Sequence, residues 1–105
     1  MQIPQKFRLF NQTWSVRGAV QGELPEDLGQ CRPDQLEIVI NPNQVAESMM
    51  HTLAHEIVHA IETKQHLEMT ERQVDLIALG LIDLARSNPG FWEIFDDSTE
   101  EDLHR

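Results

Sequence analysis

His55 and His59 stand four residues apart, with Glu56 directly after the first, and these are the residues in the chain best suited to chemistry. Residues four apart on an α-helix face the same way, so two imidazoles at this spacing can hold one zinc ion. Glu56 projects to the side of that ion, where its carboxylate can take a proton from a bound water. Zinc lowers the pKa of such a water from about 15.7 to near 7 in favourable sites. A structural zinc site has no use for that base, so Glu56 favours a catalytic reading of the pair.

A catalytic zinc needs a third protein ligand and an open fourth position. His51 lies on nearly the same helix face but eight residues from His59, about 12 Å of helix rise, which is too far to share one ion. Glu71 is the better candidate because it opens a second helix that a short connection returns alongside the first. His66 and Glu68, within that connection, are the alternatives. Asp75, one turn beyond Glu71, can accept the outer N–H of a ligand histidine. Glu62 is expected to be solvated rather than to brace the site, and Arg72 to be a surface residue rather than an oxyanion donor.

The elements that must position these residues can be traced from periodicity. Val45, Met49, Leu53, Ile57 and Ala60-Ile61 recur at helical spacing, predicting a helix to about Thr63 with its histidines off the apolar stripe. Thr70 with Gln73 forms a capping box that starts a second helix over about 71–86. That helix is apolar nearly all round, so it is expected to be central in the fold or half of a dimer contact. Gly80 inside it costs about 1 kcal/mol relative to alanine, which suggests close approach of another backbone. Before the helices, Phe7–Phe10 and Thr13–Val16 flank an Asn11-Gln12 turn as two short strands. A loop punctuated by Gly18, Gly22, Pro25 and Gly29 runs to about Arg32, and Leu36–Ile40 supplies a third strand. Asn88-Pro89 is expected to cap a short C-terminal helix whose Phe91, Trp92 and Phe95 cover the core. The expected fold is α+β: a three-stranded sheet packed on two main helices plus that short helix.

The chain of 105 residues is one domain, expected over 1–95, followed by an acidic tail over 96–105. That tail is expected to be a disordered, solvated extension, with a lure for a basic partner as the alternative. A net charge of −10, without clustered Lys or Arg, disfavours nucleic acid. No segment is long and apolar enough for a bilayer, and Met1–Lys6 precedes no apolar signal core, so a cytoplasmic location is expected. The single cysteine, Cys31, rules out an internal disulfide. With no Cys-x-x-Cys partner it is expected to be a small residue at a strand edge rather than a ligand or reactive thiol. A monomer or a homodimer is compatible with all of this.

The segment Thr52–Glu62, built around His55-Glu56-Ile57-Val58-His59, resembles the active-site helix of minimal gluzincins. Small phage-encoded zincin-like peptidases are the nearest family, with ImmA/IrrE-type and SprT-like domains further off. Glu71-x-x-x-Asp75 is similar to the glutamate-ligand helix of that clan, and Gly29–Cys31 and Ser87-Asn88-Pro89 also resemble the phage proteins. The resemblance covers about residues 29–95. It implies a zincin-like fold, Zn2+ held by His55, His59 and Glu71, and peptide-bond hydrolysis by zinc-bound water with Glu56 as base. For a phage protein it also implies a bacterial host cytoplasm. The interval from His59 to Glu71 is shorter than in larger members, and the chain has no tyrosine. His51, His66, Arg72 or a backbone N–H would have to serve as transition-state donor, and a narrow peptide or protein substrate is expected. Substrate is expected to lie along the strand over 35–40. The alternative function is a binding module that uses the same fold to contact a partner protein.

Overall fold

The computed structural model describes residues 3–96, so the expected tail beyond Asp96 lies outside the described residues. The chain opens with a hairpin of β1 (Lys6–Leu9) and β2 (Gln12–Gly18). Phe10 and Asn11 between them both take positive φ, 50° and 65°. That left-handed pair matches the twist of a two-residue hairpin. β3 (Gly29–Arg32) and β4 (Glu37–Ile40) follow, and the sheet order is β1-β2-β4-β3. β4 runs parallel to β2 and antiparallel to β3, so it is an interior strand.

The sheet has four strands where the sequence predicts three. The additional strand is β3, whose Gly-Gln-Cys-Arg carries a single apolar side chain and reads as loop. Its pairing comes from β4, whose Ile38, Val39 and Ile40 are all buried. One sheet face, with Trp14, Val16, Ile38 and Ile40, packs on α1 (Ala46–Lys64) through Ala60, Met49, Leu53 and Ile57. Val39 points the other way, in register with Arg17 and Gln30. The β2–β3 loop lies across that side: Glu23 pairs with Arg17 at 2.6 Å and with Arg32 at 2.9 Å, and Leu24 is buried. The paired guanidinium of Arg17 holds the Glu23 carboxyl down to about 2.

After α1 the chain turns at His66, whose φ of 57° is left-handed. α2 (Glu71–Ser87) starts at Thr70 with the expected capping box: the Gln73 N–H donates to Thr70 Oγ1 at 3.1 Å, and the Thr70 N–H to Gln73 Oε1 at 2.9 Å. Val74 and Ala78 of α2 pack on Val58 of α1 in a small second core.

Of the two places expected for α2, the centre of the fold is excluded, because its Leu76, Ile77 and Leu79 are exposed. Three expectations fail here. No atom outside its own helix lies within 4 Å of where a Gly80 side chain would stand, so no backbone approaches it among the described residues. The C-terminal segment is a 3-10 turn, Phe91–Phe95, with no buried residue: its aromatic rings meet one another edge-on or tilted, with centroids 5.5 to 6.0 Å apart, and do not cover the core. Asn88 closes the end of α2 by donating from Nδ2 to the Leu84 carbonyl at 3.1 Å, and does not cap a new helix. No helix among the described residues is long and apolar enough to cross a membrane.

Candidate metal centre

α1 carries two faces with different work. One packs on the sheet, and the other presents His51, His55 and His59 to α2. The α2 N-terminus lies opposite, and Glu71 meets both inner histidines. Its Oε2 lies 3.0 Å from His55 Nε2 and its Oε1 2.9 Å from His59 Nε2. Among the described residues, His55, His59 and Glu71 form a group whose ligand atoms all lie within 4.8 Å of one another.

The outer nitrogens are held as well. His59 Nδ1 lies 2.9 Å from Glu62 Oε1, and His55 Nδ1 lies 3.4 Å from Asp75 Oδ1. In the tautomer that carries its proton on Nδ1, each ring directs that N–H at a carboxylate and turns its Nε2 lone pair inward, the arrangement that a metal ligand needs. An inward lone pair facing a carboxylate oxygen is repulsive unless a cation or a proton sits between them. Ligand atoms around a tetrahedral zinc at about 2.0–2.1 Å stand about 3.3 Å apart. The observed contacts are a few tenths of an ångström shorter, so small side-chain adjustments would admit the ion. The donor set therefore fits zinc.

Glu62 is not solvated as expected: its side chain is only 15% exposed. Its second oxygen accepts the Met69 N–H at 2.6 Å, which clamps the connection between the helices to the end of α1. That backbone bond, with His59 next, holds the Glu62 carboxyl below its usual range. The i,i+3 spacing from His59 is the signal for this that the sequence offers. Asp75 also lies 3.1 Å from Nε2 of His51, so one carboxylate lies against two histidines a turn apart. The alternatives for third ligand do not join the group: His66 and Glu68 are exposed, and His66 is spent on the turn. Arg72 is exposed, as expected.

Glu56 points toward β3 from the same stretch of α1. It is 7% exposed, and burial pushes its carboxyl up, an effect that the neighbouring His55 and His59 oppose. It lines the cavities on both sides of the histidine pair, between β3 and the helices. β3 comes this close because residue 29 is glycine. A Cβ there would lie 2.5 Å from Thr52 Cγ2 and 3.3 Å from both Glu56 Cγ and the Val39 carbonyl oxygen. Overpacking of this kind costs about 1–3 kcal/mol. Gly29→Ala is expected to lower the melting temperature by roughly 5–20 °C in a domain of this size. A melting curve that overlays the wild type would show that β3 does not sit this tightly on α1.

Cys31, two strand residues further, packs at the rim of the main core and is not among the metal-ligand group. Burial, with the charges of Glu56 and Glu62 behind it, pushes its thiol up to about 12. The thiolate is the reactive species, so labelling by a disulfide reagent at neutral pH should be on the order of 100-fold slower in the folded than in the unfolded protein. Equal rates would contradict its placement.

No family model, no curated protein and no solved structure matches the chain. Any function assigned to it must come from the geometry of the site.

One expectation about substrate is overturned by the sheet order. The strand over 35–40 is not an edge beside the site, because β4 is paired on both sides. The edge next to the histidine pair is β3.

Proposed function

We propose that the protein is a zinc-dependent peptidase that hydrolyses a bond in a narrow set of peptide or protein substrates. The observation that carries this reading is the pairing of a three-residue ligand set with a buried, unpartnered carboxylate at its side. His55, His59 and Glu71 would hold Zn2+, and Glu62 and Asp75 orient the two imidazoles. When bound, the ion would polarise the scissile carbonyl and acidify a water. Glu56 accepts the proton from the attacking water and returns it to the leaving amine. Its burial suits that task, because a carboxylate stripped of solvent is a stronger proton acceptor. The peptide backbone would pair with the free edge of β3, which Gly29 brings against Glu56.

Incubation of the zinc-loaded protein with a complex protein mixture, followed by mass-spectrometric reading of new termini, tests the reading. A small set of new termini that disappears on chelation is expected; none at any protein concentration would sink it. The ligand set has its own test. Purified protein should contain close to one zinc per chain, and Glu71→Ala should lose most of it. Normal zinc content in Glu71→Ala would remove Glu71 from the set.

A further inference from the structure

α2 buries only one side of itself. Val74 and Ala78 face α1, while Arg72, Leu76, Leu79 and Asp83 are all exposed. These four stand at successive intervals of four, three and four residues. At about 100° per residue they fall within an arc of about 60°, on the far side of the helix from Val74 and Ala78. That is the spacing of a coiled-coil seam, which recurs every 3.5 residues on average. Leucines fill the middle of the seam, and its two ends carry opposite charges.

Neither end charge is spent within the chain. Arg72 makes no hydrogen bond or ion pair among the described residues, and Asp83 accepts only a 3.5 Å contact from the Ser87 hydroxyl. In the reverse direction the seam runs Asp83, Leu79, Leu76, Arg72, at the same intervals. Laid antiparallel on a second copy, it sets Leu76 against Leu79 and Arg72 against Asp83, each twice, about a two-fold axis. A parallel pair would instead set Arg72 on Arg72 and Asp83 on Asp83. Gly80 is a separate observation. With Leu76, Leu79 and Asp83 it bounds the hollow that would receive Leu76 of the second copy, and no atom outside its own helix lies within 4 Å of its side-chain position. Glycine weakens a helix interior, and at this corner it leaves room for an incoming side chain.

We infer that the outer face of α2 is an interaction surface for a second copy of this chain, paired antiparallel along Arg72, Leu76, Leu79 and Asp83. The pattern selects this occupant because it complements its own reversal in both charge and apolar contact. Its midpoint, between Ile77 and Ala78, lies near the middle of Glu71–Ser87, so the two helices can overlap over most of their length. Ile77, also exposed, flanks the seam and widens the apolar contact. One helix per copy makes a small interface, so the dimer should dissociate at about 10–100 μM. The seam uses no ligand of the metal centre, so the pairing stands or falls apart from the peptidase reading.

Sedimentation equilibrium of the full chain at low salt, from about 1 to 300 μM, tests the pairing. The mass should rise from one chain toward two across that range. Arg72→Glu alone, or Asp83→Arg alone, sets like charges together at both ends and should weaken association at least about 10-fold. Glutamate near the start of a helix and arginine near its end both suit the dipole, so each variant should melt close to wild type. An equimolar mixture of the two variants restores an opposite pair at each end, and so does the double variant. Both should associate within about 3-fold of wild type, a rescue that a merely structural role for either residue does not give. Single variants that associate as well as wild type, or a mixture and double variant as weak as the singles, would overturn the inference. Wild type that stays a single chain up to about 300 μM would overturn it too, and would leave the face to a different partner.

Discussion

Glu56→Gln should abolish turnover while leaving zinc content and melting temperature close to wild type. Glutamine is nearly isosteric with glutamate, so the packing of the residue 56 side chain beside Gly29 survives the change. What it loses is the ability to accept a proton. General-base catalysis contributes about 100- to 10,000-fold, and cleavage should fall by at least that range. The substitution also removes a carboxylate whose ionised form is disfavoured by burial. An acid whose pKa is raised on folding subtracts nothing below its ordinary pKa, subtracts progressively as pH rises from that value to the raised one, and subtracts in full above it. Removing its charge should therefore leave stability at neutral pH unchanged or slightly higher. Loss of activity with intact zinc and folding is the signature of a base. If the protein acts as a binding module instead, the same variant would be silent in every functional assay, and retained biological activity would remove the peptidase reading.

How much of the fold and site is legible in the sequence differs from residue to residue. The α1 site is legible because one helix fixes the spacing of His55, Glu56 and His59. Glu71 and Asp75 are legible because the capping box at Thr70 sets where α2 begins, and a short connection leaves the helices little choice but to pack side by side. β3 is not legible, since a four-residue strand with one apolar side chain takes its conformation from its neighbour rather than its own composition. The substrate-edge expectation fails for the same reason: without β3 in the sheet, β4 looks like an edge. The role of Glu62 depends on the Met69 N–H, which reaches it only once the chain has turned at His66.

The apolar outer face of α2 has a different status. Leu76, Ile77 and Leu79 give a signal of burial that the single chain does not fulfil. Gly80 lies among them, open on its side-chain face. Helix propensity alone predicts that Gly80→Ala would stabilise the chain by up to about 1 kcal/mol if nothing packs there.

Removal of zinc should lower the melting temperature by roughly 15–30 °C. The proposed ion would join the middle of α1 to the first turn of α2; besides it, the two helices meet in the small core of Val58, Val74 and Ala78, at the Asp75 carboxylate and at the exposed Glu47–Arg86 ion pair. An ion that binds the folded chain and not the unfolded one stabilises by about 4 kcal/mol when free metal is 1,000 times the dissociation constant. Each kcal/mol moves the midpoint by about 4–8 °C in a domain of about 100 residues. Without the ion, the Nε2 lone pairs of His55 and His59 face the Glu71 carboxylate at about 3 Å, so the apo state loses a clip and gains repulsion unless protons take the ion's place. His59→Ala provides the control, because it removes a ligand before any chelator is added. Its melting temperature should start low and should not fall further on chelation, whereas wild type should fall to meet it. A wild-type midpoint that stays put after metal analysis confirms the zinc is gone would show that the helices need no clip. The ion, if bound at all, would then serve chemistry alone.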